Sequence, residues 1–347
     1  MMTPEEIRSQ AKTKLKGVCG VIKECDGLPS RMCQGQAYGG ALGVGGAGAG
    51  YSFANNVEAL KNVHLKMRVI GPHFMPDTSV ELFGKKIGTP FFGAPVTGVN
   101  SFGGEKTISE ADFCQATVDG CKAAGSMAWR GDSFNYSLDE AYGINAIKAA
   151  GGWGVKIIKP RSQAMIKEFI KRAEDAGVAA VGVDVDGCGS YQMNKHEKPV
   201  FRKSIEELEE LIQSTGLPFI VKGLMCVEDA EAAVSAGASA IVVSNHGGRV
   251  LDHTPGTAAV LPEISDAMDG RCKVIVDGGV RTGYDILKML ALGADGVLIG
   301  RDVMRAAVGG GADGVQVHME FLQKTLAKAM LMTGCARIGD IRSDILA

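Results

Sequence analysis

Residues 273–301 read KVIVDGGVRTGYDILKMLALGADGVLIGR. An apolar run, KVIVDG (273–278), is followed by an amphipathic segment, GYDILKMLALGA (283–294), and then by a second apolar run, GVLIGR (296–301). Continuous apolar runs mark strands buried on both faces, as in parallel sheets. The segment between them repeats its apolar residues at helical spacing, and a glycine near its end suits a helix C-terminus. The stretch therefore reads as a β-α-β unit.

The same alternation runs upstream. FFGAPV (91–96), SMAWRG (126–131), GVKIIK (154–159), AAVGVD (179–184), PFIVKG (218–223) and AIVVSN (240–245) are further short apolar runs, which brings the total to eight. Between them, IKEFIKRAEDAG (166–177) places Ile166, Phe169, Ile170 and Ala173 on one helical face, and VEDAEAAVSAGA (227–238) reads alike. Eight β-α units predict a (β/α)8 TIM barrel over residues 51–347. A doubly wound open sheet is the structural alternative, because strand count alone does not prove closure. Residues 1–50 read as an irregular N-terminal extension. Its glycine-rich end, GGALGVGGAGAG (39–50), lacks the Lys-Ser/Thr ending of a phosphate loop, and we read it as a flexible or tightly packed connection. Residues 185–203 form a longer excursion after the fourth run, expected to be a mobile lid over the active face.

Composition narrows the class. The chain has 347 residues, of which 46% are hydrophobic, enough for a large core. A net charge of −2 gives no basic footprint for nucleic acid. No run approaches the roughly 18 apolar residues of a membrane span. The opening MMTPEEIRSQAKTKLKG is charged and lacks the apolar core of a signal peptide. These features lead us to expect a soluble, cytoplasmic protein whose nine cysteines are thiols. Cys114, Cys121, Cys188, Cys226, Cys272 and Cys335 lie in helix- or strand-like surroundings and are expected to be buried. Cys19, Cys25 and Cys33 cluster in the extension at a spacing that fits neither a common zinc site nor a ferredoxin run. They read as free thiols of an N-terminal cap, with metal or cluster binding the weaker alternative; no metal site is expected.

In a barrel the chemistry gathers at the C-terminal ends of the strands. The fifth run ends near Lys222. The sixth ends at Asn245-His246 and continues to Arg249. The seventh ends on Asp277-Gly278-Gly279, with Arg281 close behind, and the eighth on Gly300-Arg301. Glycines let backbone N–H groups approach an anion, helix N-termini favour negative charge, and Arg301 adds a forked cation. Two such endings on adjacent strands point to a phosphate site; the bland alternative is that these glycines only turn the chain. His246 exchanges a proton near neutral pH. Arg249 suits a carboxylate. Lys222 would stabilise negative charge on a ligand, or else would be a surface lysine. Together these groups suggest oxidation of a carboxylated substrate on a phosphate-bearing cofactor.

The stretch SNHGGRVLD (244–252), followed by LPEI and by DGGVRTGYDILKMLALGADGVLIGR, resembles the FMN-dependent 2-hydroxy acid oxidising family, which includes glycolate oxidase, lactate oxidase and the flavin domain of flavocytochrome b2. The likeness is close over residues 218–340, weaker over about 51–184 and poor before residue 50. It implies FMN as cofactor and oxidation of a small L-2-hydroxy acid, lactate-like, by hydride transfer to the flavin. His246 would be the base that takes the hydroxyl proton, with Asp277 orienting its imidazole. Arg249 would grip the substrate carboxylate, and Lys222 would stabilise the reduced ring. Gly278, Gly279, Arg281, Gly300 and Arg301 would form the phosphate loops. Ser244 and the first-run residues Ala94, Pro95 and Val96 would lie against the ring. The resemblance also implies a homo-oligomer, commonly a tetramer, with O2 or another electron acceptor.

Two departures stand out. The family usually carries a tyrosine at the end of the third strand, where GVKIIKPRS here offers Ile158 and Lys159. It also carries a second substrate-binding arginine after the fourth strand, where this chain has Asp184-Val185-Asp186-Gly187-Cys188-Gly189. Lys156, Lys159 and Arg161 are the candidates to replace it. The rival readings are another substrate class on an FMN barrel, such as an isopentenyl-diphosphate-isomerase-like flavoenzyme, and a non-catalytic flavoprotein.

Overall fold

The computed structural model describes residues 2–17, 45–101, 106–134 and 140–347. Cys19, Cys25, Cys33 and the first half of the glycine-rich stretch lie outside the described residues. Each of the eight apolar runs becomes a strand. After a short antiparallel hairpin, β1 (Val80–Leu82) and β2 (Lys85–Ile87), follow β3 (Phe91–Gly93), β4 (Ala128–Arg130), β5 (Gly154–Ile158) and β6 (Ala180–Asp184), then β7 (Phe219–Leu224), β8 (Ala240–Val243), β9 (Lys273–Val276) and β10 (Gly296–Ile299). Strands β3 to β10 pair in parallel, in sequence order, and β10 pairs back with β3. The sheet is closed, so the (β/α)8 barrel holds and the open-sheet alternative does not.

The side-chain period of two decides which groups reach the site. Phe92, Trp129, Val155, Ile157, Ile220, Val242, Ile275 and Leu298 fill the barrel interior. Their neighbours, among them Phe91, Ile158, Val183, Val221, Val243 and Ile299, pack outward on the helices. Successive side chains alternate between these two layers. The interior phase carried to the C-terminal mouth lands on Ala94, Lys159, Asp184, Lys222, Ser244, Asp277 and Gly300. The other end is closed by the hairpin, whose Leu82 and Ile87 join the interior cluster.

The helices bury the faces their spacing dictates. Helix Gln163–Asp175 buries Ile166, Phe169, Ile170 and Ala173, with Ser162 as N-cap. The segment expected to be irregular carries a helix, Pro4–Lys14. Thr3 and Glu6 form a capping box around a proline in the first turn, so local chemistry fixes its start. It buries Ile7 and Ala11 and packs on the long helix Arg301–Thr333, which is kinked at Gly310–Gly311. Of the six described cysteines, Cys114, Cys121, Cys272 and Cys335 are buried as expected, whereas Cys188 is half-buried and Cys226 exposed at the start of helix Val227–Ser235. No helix among the described residues is long and apolar enough to cross a membrane.

Candidate active site

One cavity opens at the barrel mouth. Ala94–Thr97, Lys159, Asp184, Lys222, His246, Arg249, Asp277–Arg281 and Gly300–Arg301 all contribute to its wall. The excursion after β6 forms its roof. Residues Val185–Gly189 make a 3₁₀ turn and Tyr191–Lys195 a short helix, of which Tyr191, Gln192 and Met193 face the cavity. His196 stacks on Phe134 with ring centroids 3.8 Å apart, which ties this roof to the loop after β4.

The loop after β8 is held in an unusual backbone. His246, Gly247 and Gly248 take φ values of 57°, 63° and 76°, all left-handed. For histidine this conformation is uncommon and strained. Buried hydrogen bonds hold it: His246 N–H donates to Ser244 Oγ at 3.1 Å, and Gly248 N–H to Asn245 Oδ1 at 3.1 Å. Asn245 also exchanges bonds with Asn56 at 2.8 and 3.2 Å and donates to Thr254 Oγ1 at 2.9 Å. Asn245 and Asn56 were missed as site supports. The position of Asn245 beside His246 was the available signal, whereas nothing in the sequence flags Asn56.

The imidazole partner is Asp186, not Asp277. His246 Nδ1 lies 3.0 Å from Asp186 Oδ1 and 4.0 Å from Asp184 Oδ2. The histidine stands past the end of β8, and its ring is turned towards the end of β6. Asp277 instead pairs with Lys222, Oδ2 to Nζ at 3.2 Å, and Lys222 donates to Ser244 Oγ at 2.8 Å. Lys222 is buried, which removes its reading as a surface lysine. Burial alone would lower its pKa, but Asp277, Asp186 and Asp184 raise it. Burial likewise pushes the Asp186 carboxyl up, yet His246, Lys222 and Lys159 overcome that and hold it at about 2.

Gly223 makes this approach possible. Its φ is 104°, at a shift in the β7–β8 register, and a Cβ there would lie 2.4 Å from Asp186 Cγ. Asp184, Asp186 and His246 bring three donor atoms within 4.8 Å of one another. By distance they could hold a cation, but Lys159 and Lys222 already supply positive charge to the same carboxylates.

Of the three candidate replacements for the second arginine, only Lys159 reaches the cavity. Lys156 is one position out of phase; it is buried, donates to the Gly131 carbonyl and lies 5.7 Å over the Phe169 ring. Arg161 is closed on Asp132 at 2.8 and 3.0 Å and on the Ser133 carbonyl at 2.8 Å. Lys159 Nζ meets Asp184 Oδ2 at 2.5 Å on the cavity wall. The expected clamp, Arg249, also lines the cavity and donates to the Gly45 carbonyl at 2.7 Å.

On the opposite wall, Gly278 and Gly279 are left-handed, and Gly300 precedes the helix Arg301–Thr333. Arg301 donates to the Gly247 carbonyl at 2.9 Å and lies 4.5 Å over the Phe53 ring. Arg281 pairs with Asp302 at 2.7 Å. Two guanidinium groups beside glycine turns and a helix N-terminus suit a phosphate group. Asp277 Oδ1, buried at the barrel mouth, has no hydrogen-bond partner among the described residues. The cavity thus joins a glycine-arginine wall to a buried cation and a histidine, an arrangement that fits a phosphate-bearing cofactor with a small substrate.

The comparisons decide the family. The family described as FMN-dependent dehydrogenase matches residues 41–203 and 188–347. The chain belongs to that family. It is 30% identical over 327 residues to an L-lactate oxidase of Lacticaseibacillus rhamnosus (strain LMS2-1), which covers 86% of each chain. It is 32% identical over 337 residues to a 4-hydroxymandelate oxidase of Amycolatopsis orientalis, covering 86% of this chain and 90% of the relative. Among solved structures, a mandelate oxidase variant with 2-hydroxy-phenylacetamide superposes with a TM-score of 0.79 at 30% identity, over 100% of this chain and 98% of that one. This FMN-dependent dehydrogenase is thus an oxidoreductase acting on the CH–OH group of 2-hydroxy acids, and FMN is its cofactor.

Proposed function

We propose that the chain oxidises a small, lactate-like L-2-hydroxy acid to the 2-oxo acid, with His246 as the base. The observation that carries this is the 3.0 Å contact between His246 Nδ1 and Asp186 Oδ1. It occupies one ring nitrogen with a carboxylate and leaves Nε2 for the substrate hydroxyl proton. A base whose conjugate acid finds its counter-charge already in place needs little reorganisation during reaction. Three carboxylates, Asp184, Asp186 and Asp277, face two ammonium groups, Lys159 and Lys222. The ionised set carries one excess negative charge, which a proton on the imidazole cancels.

Arg249 holds the substrate carboxylate. Lys222, fixed between Ser244 and Asp277, keeps a positive charge at the barrel mouth, where it stabilises negative charge on the cofactor ring. Gly278, Gly279, Arg281, Gly300 and Arg301 receive the phosphate, and Ala94, Pro95, Val96 and Ser244 position the ring. Bound FMN supplies the hydride acceptor. O2 or another acceptor takes the electrons, since relatives are named both oxidases and dehydrogenases.

The test is anaerobic stopped-flow absorbance with L-lactate, glycolate and longer 2-hydroxy acids. Bleaching near roughly 450 nm, where oxidised flavin absorbs, is expected with at least one of them. His246→Ala should slow it by about 10² or more, the range for loss of a general base. A flavin that none of these acids bleaches would overturn the substrate reading.

A further inference from the structure

The Lys159–Asp184 pair has its carboxylate within 4.0 Å of the His246 ring. Arg161 is closed on Asp132 through two hydrogen bonds, and Arg281 pairs with Asp302 through one. Asp184 stands instead between two bases. Its Oδ2 is 2.5 Å from Lys159 Nζ and 4.0 Å from His246 Nδ1, and its Oδ1 is buried with no hydrogen-bond partner among the described residues. An unpartnered buried carboxylate oxygen is costly. Asp184 therefore gains by a second partner, and the imidazole is the nearby group that becomes a cation during turnover.

Lys159 has a fixed root and a flexible stem. Its backbone N–H donates to Asp132 Oδ2 at 3.2 Å, and Arg161 locks Asp132 in turn, so the root of the side chain is fixed. The interior phase of β5 aims it into the mouth, where 11% of the side chain remains exposed. An ammonium on a four-carbon stem changes partners readily, unlike a forked guanidinium. The roof residues Ser190–Met193 line the same cavity.

We propose that Lys159 binds the substrate carboxylate together with Arg249, and that Asp184, released by this exchange, turns to His246 and stabilises its imidazolium. The substrate anion would thus both anchor itself and bring a second carboxylate to the imidazole that Asp186 already contacts. This deepens the hydroxy acid reading and rests on it for the identity of the anion, though not for the existence of an anion site.

Oxalate, titrated into the oxidised holoenzyme and followed by perturbation of the flavin spectrum, tests the site without turnover. Lys159→Met should weaken oxalate by at least about tenfold, as for loss of a charge-assisted hydrogen bond. Lys159→Arg should recover most of the binding. Asp184→Asn should tighten oxalate by freeing the ammonium, and this gain should vanish in the Lys159→Met/Asp184→Asn double variant. In turnover, Lys159→Met should act mainly on KM and Asp184→Asn mainly on kcat. Flavin content shows that each variant is folded. Oxalate affinity unchanged in Lys159→Met, or tightening by Asp184→Asn that persists without Lys159, would overturn the proposal. A normal oxalate series with no bleaching by any hydroxy acid would leave the anion site standing and reject the oxidation reading instead.

Discussion

His246 occupies a backbone region that costs a non-glycine residue about 1–3 kcal/mol. The surrounding bonds to Ser244, Asn245 and Asn56 hold it there, and the result is an imidazole aimed at Asp186. Gly223→Ala tests that aim. The new Cβ would stand where Asp186 Cγ now lies, so the carboxylate must move. Flavin reduction is expected to slow by about tenfold or more with FMN retained, because electrostatic support of a reacting group is commonly worth at least that much; stopped-flow rates against flavin content check it. Asp186 also leaves a mark on stability. Its folded pKa of about 2 lies below the ordinary carboxyl value of 3.8 because the nearby cations outweigh burial. A depressed carboxyl contributes stability above its unfolded pKa and loses it as pH falls through the folded one. Asp186→Asn should therefore flatten the fall in Tm between about pH 4 and pH 2, read by circular dichroism melts across that range.

At the scale of the element, β5 shows how one strand sorts its cations. Lys159, in phase with Val155 and Ile157, reaches the cavity, whereas Lys156 faces the helix layer among Gly131, Phe169 and Asp132. Burial lowers the pKa of Lys156 to about 8; Asp132 and Cys114 oppose the shift, while Arg130 and Arg161 add to it. Between that value and the unfolded 10.5 the unfolded chain binds more protons, so this group makes stability rise with pH. The expected outcome is that Tm of the native chain gains on that of Lys156→Met from about pH 8 to pH 10. Parallel thermal melts would show it, and two curves that stay parallel would refute it. Period-two alternation was readable in the sequence, and applied to GVKIIK it already separates Lys159 from Lys156. The orientation of His246 was not readable. It depends on a left-handed histidine and on Asp186 approaching from another strand's loop, and neither leaves a local pattern. The resemblance accordingly assigned to Asp277 an imidazole contact that Asp186 makes in the structure.

Over the whole molecule, the eight apolar runs sufficed for the barrel because each is buried on both faces, a constraint strong enough to show without any partner. The glycine-arginine wall of the cavity was legible for the same reason: glycines and arginines fall at fixed offsets from strand ends. The helix Pro4–Lys14 escaped notice because only its capping box and two buried residues mark it. The outer surface holds one more consequence. Met67, Val69, Ile70 and Met75 are exposed by 72%, 58%, 102% and 81%, in an extended stretch whose Arg68 N–H bonds to Met332 at the end of the long helix. Leu331 and Met332 beside it are also partly exposed. Large apolar side chains exposed this close together suit an interface, and most soluble oligomers are built from identical chains. The homo-oligomer implied by the family resemblance would cover it. Light scattering after size exclusion should then give a multiple of the chain mass. Ile70→Asp combined with Met75→Asp should shift the mass towards the monomer while anaerobic flavin bleaching persists, since neither residue lines the cavity. An unchanged mass in that variant would place the interface elsewhere, and a monomeric parent would remove the oligomer altogether.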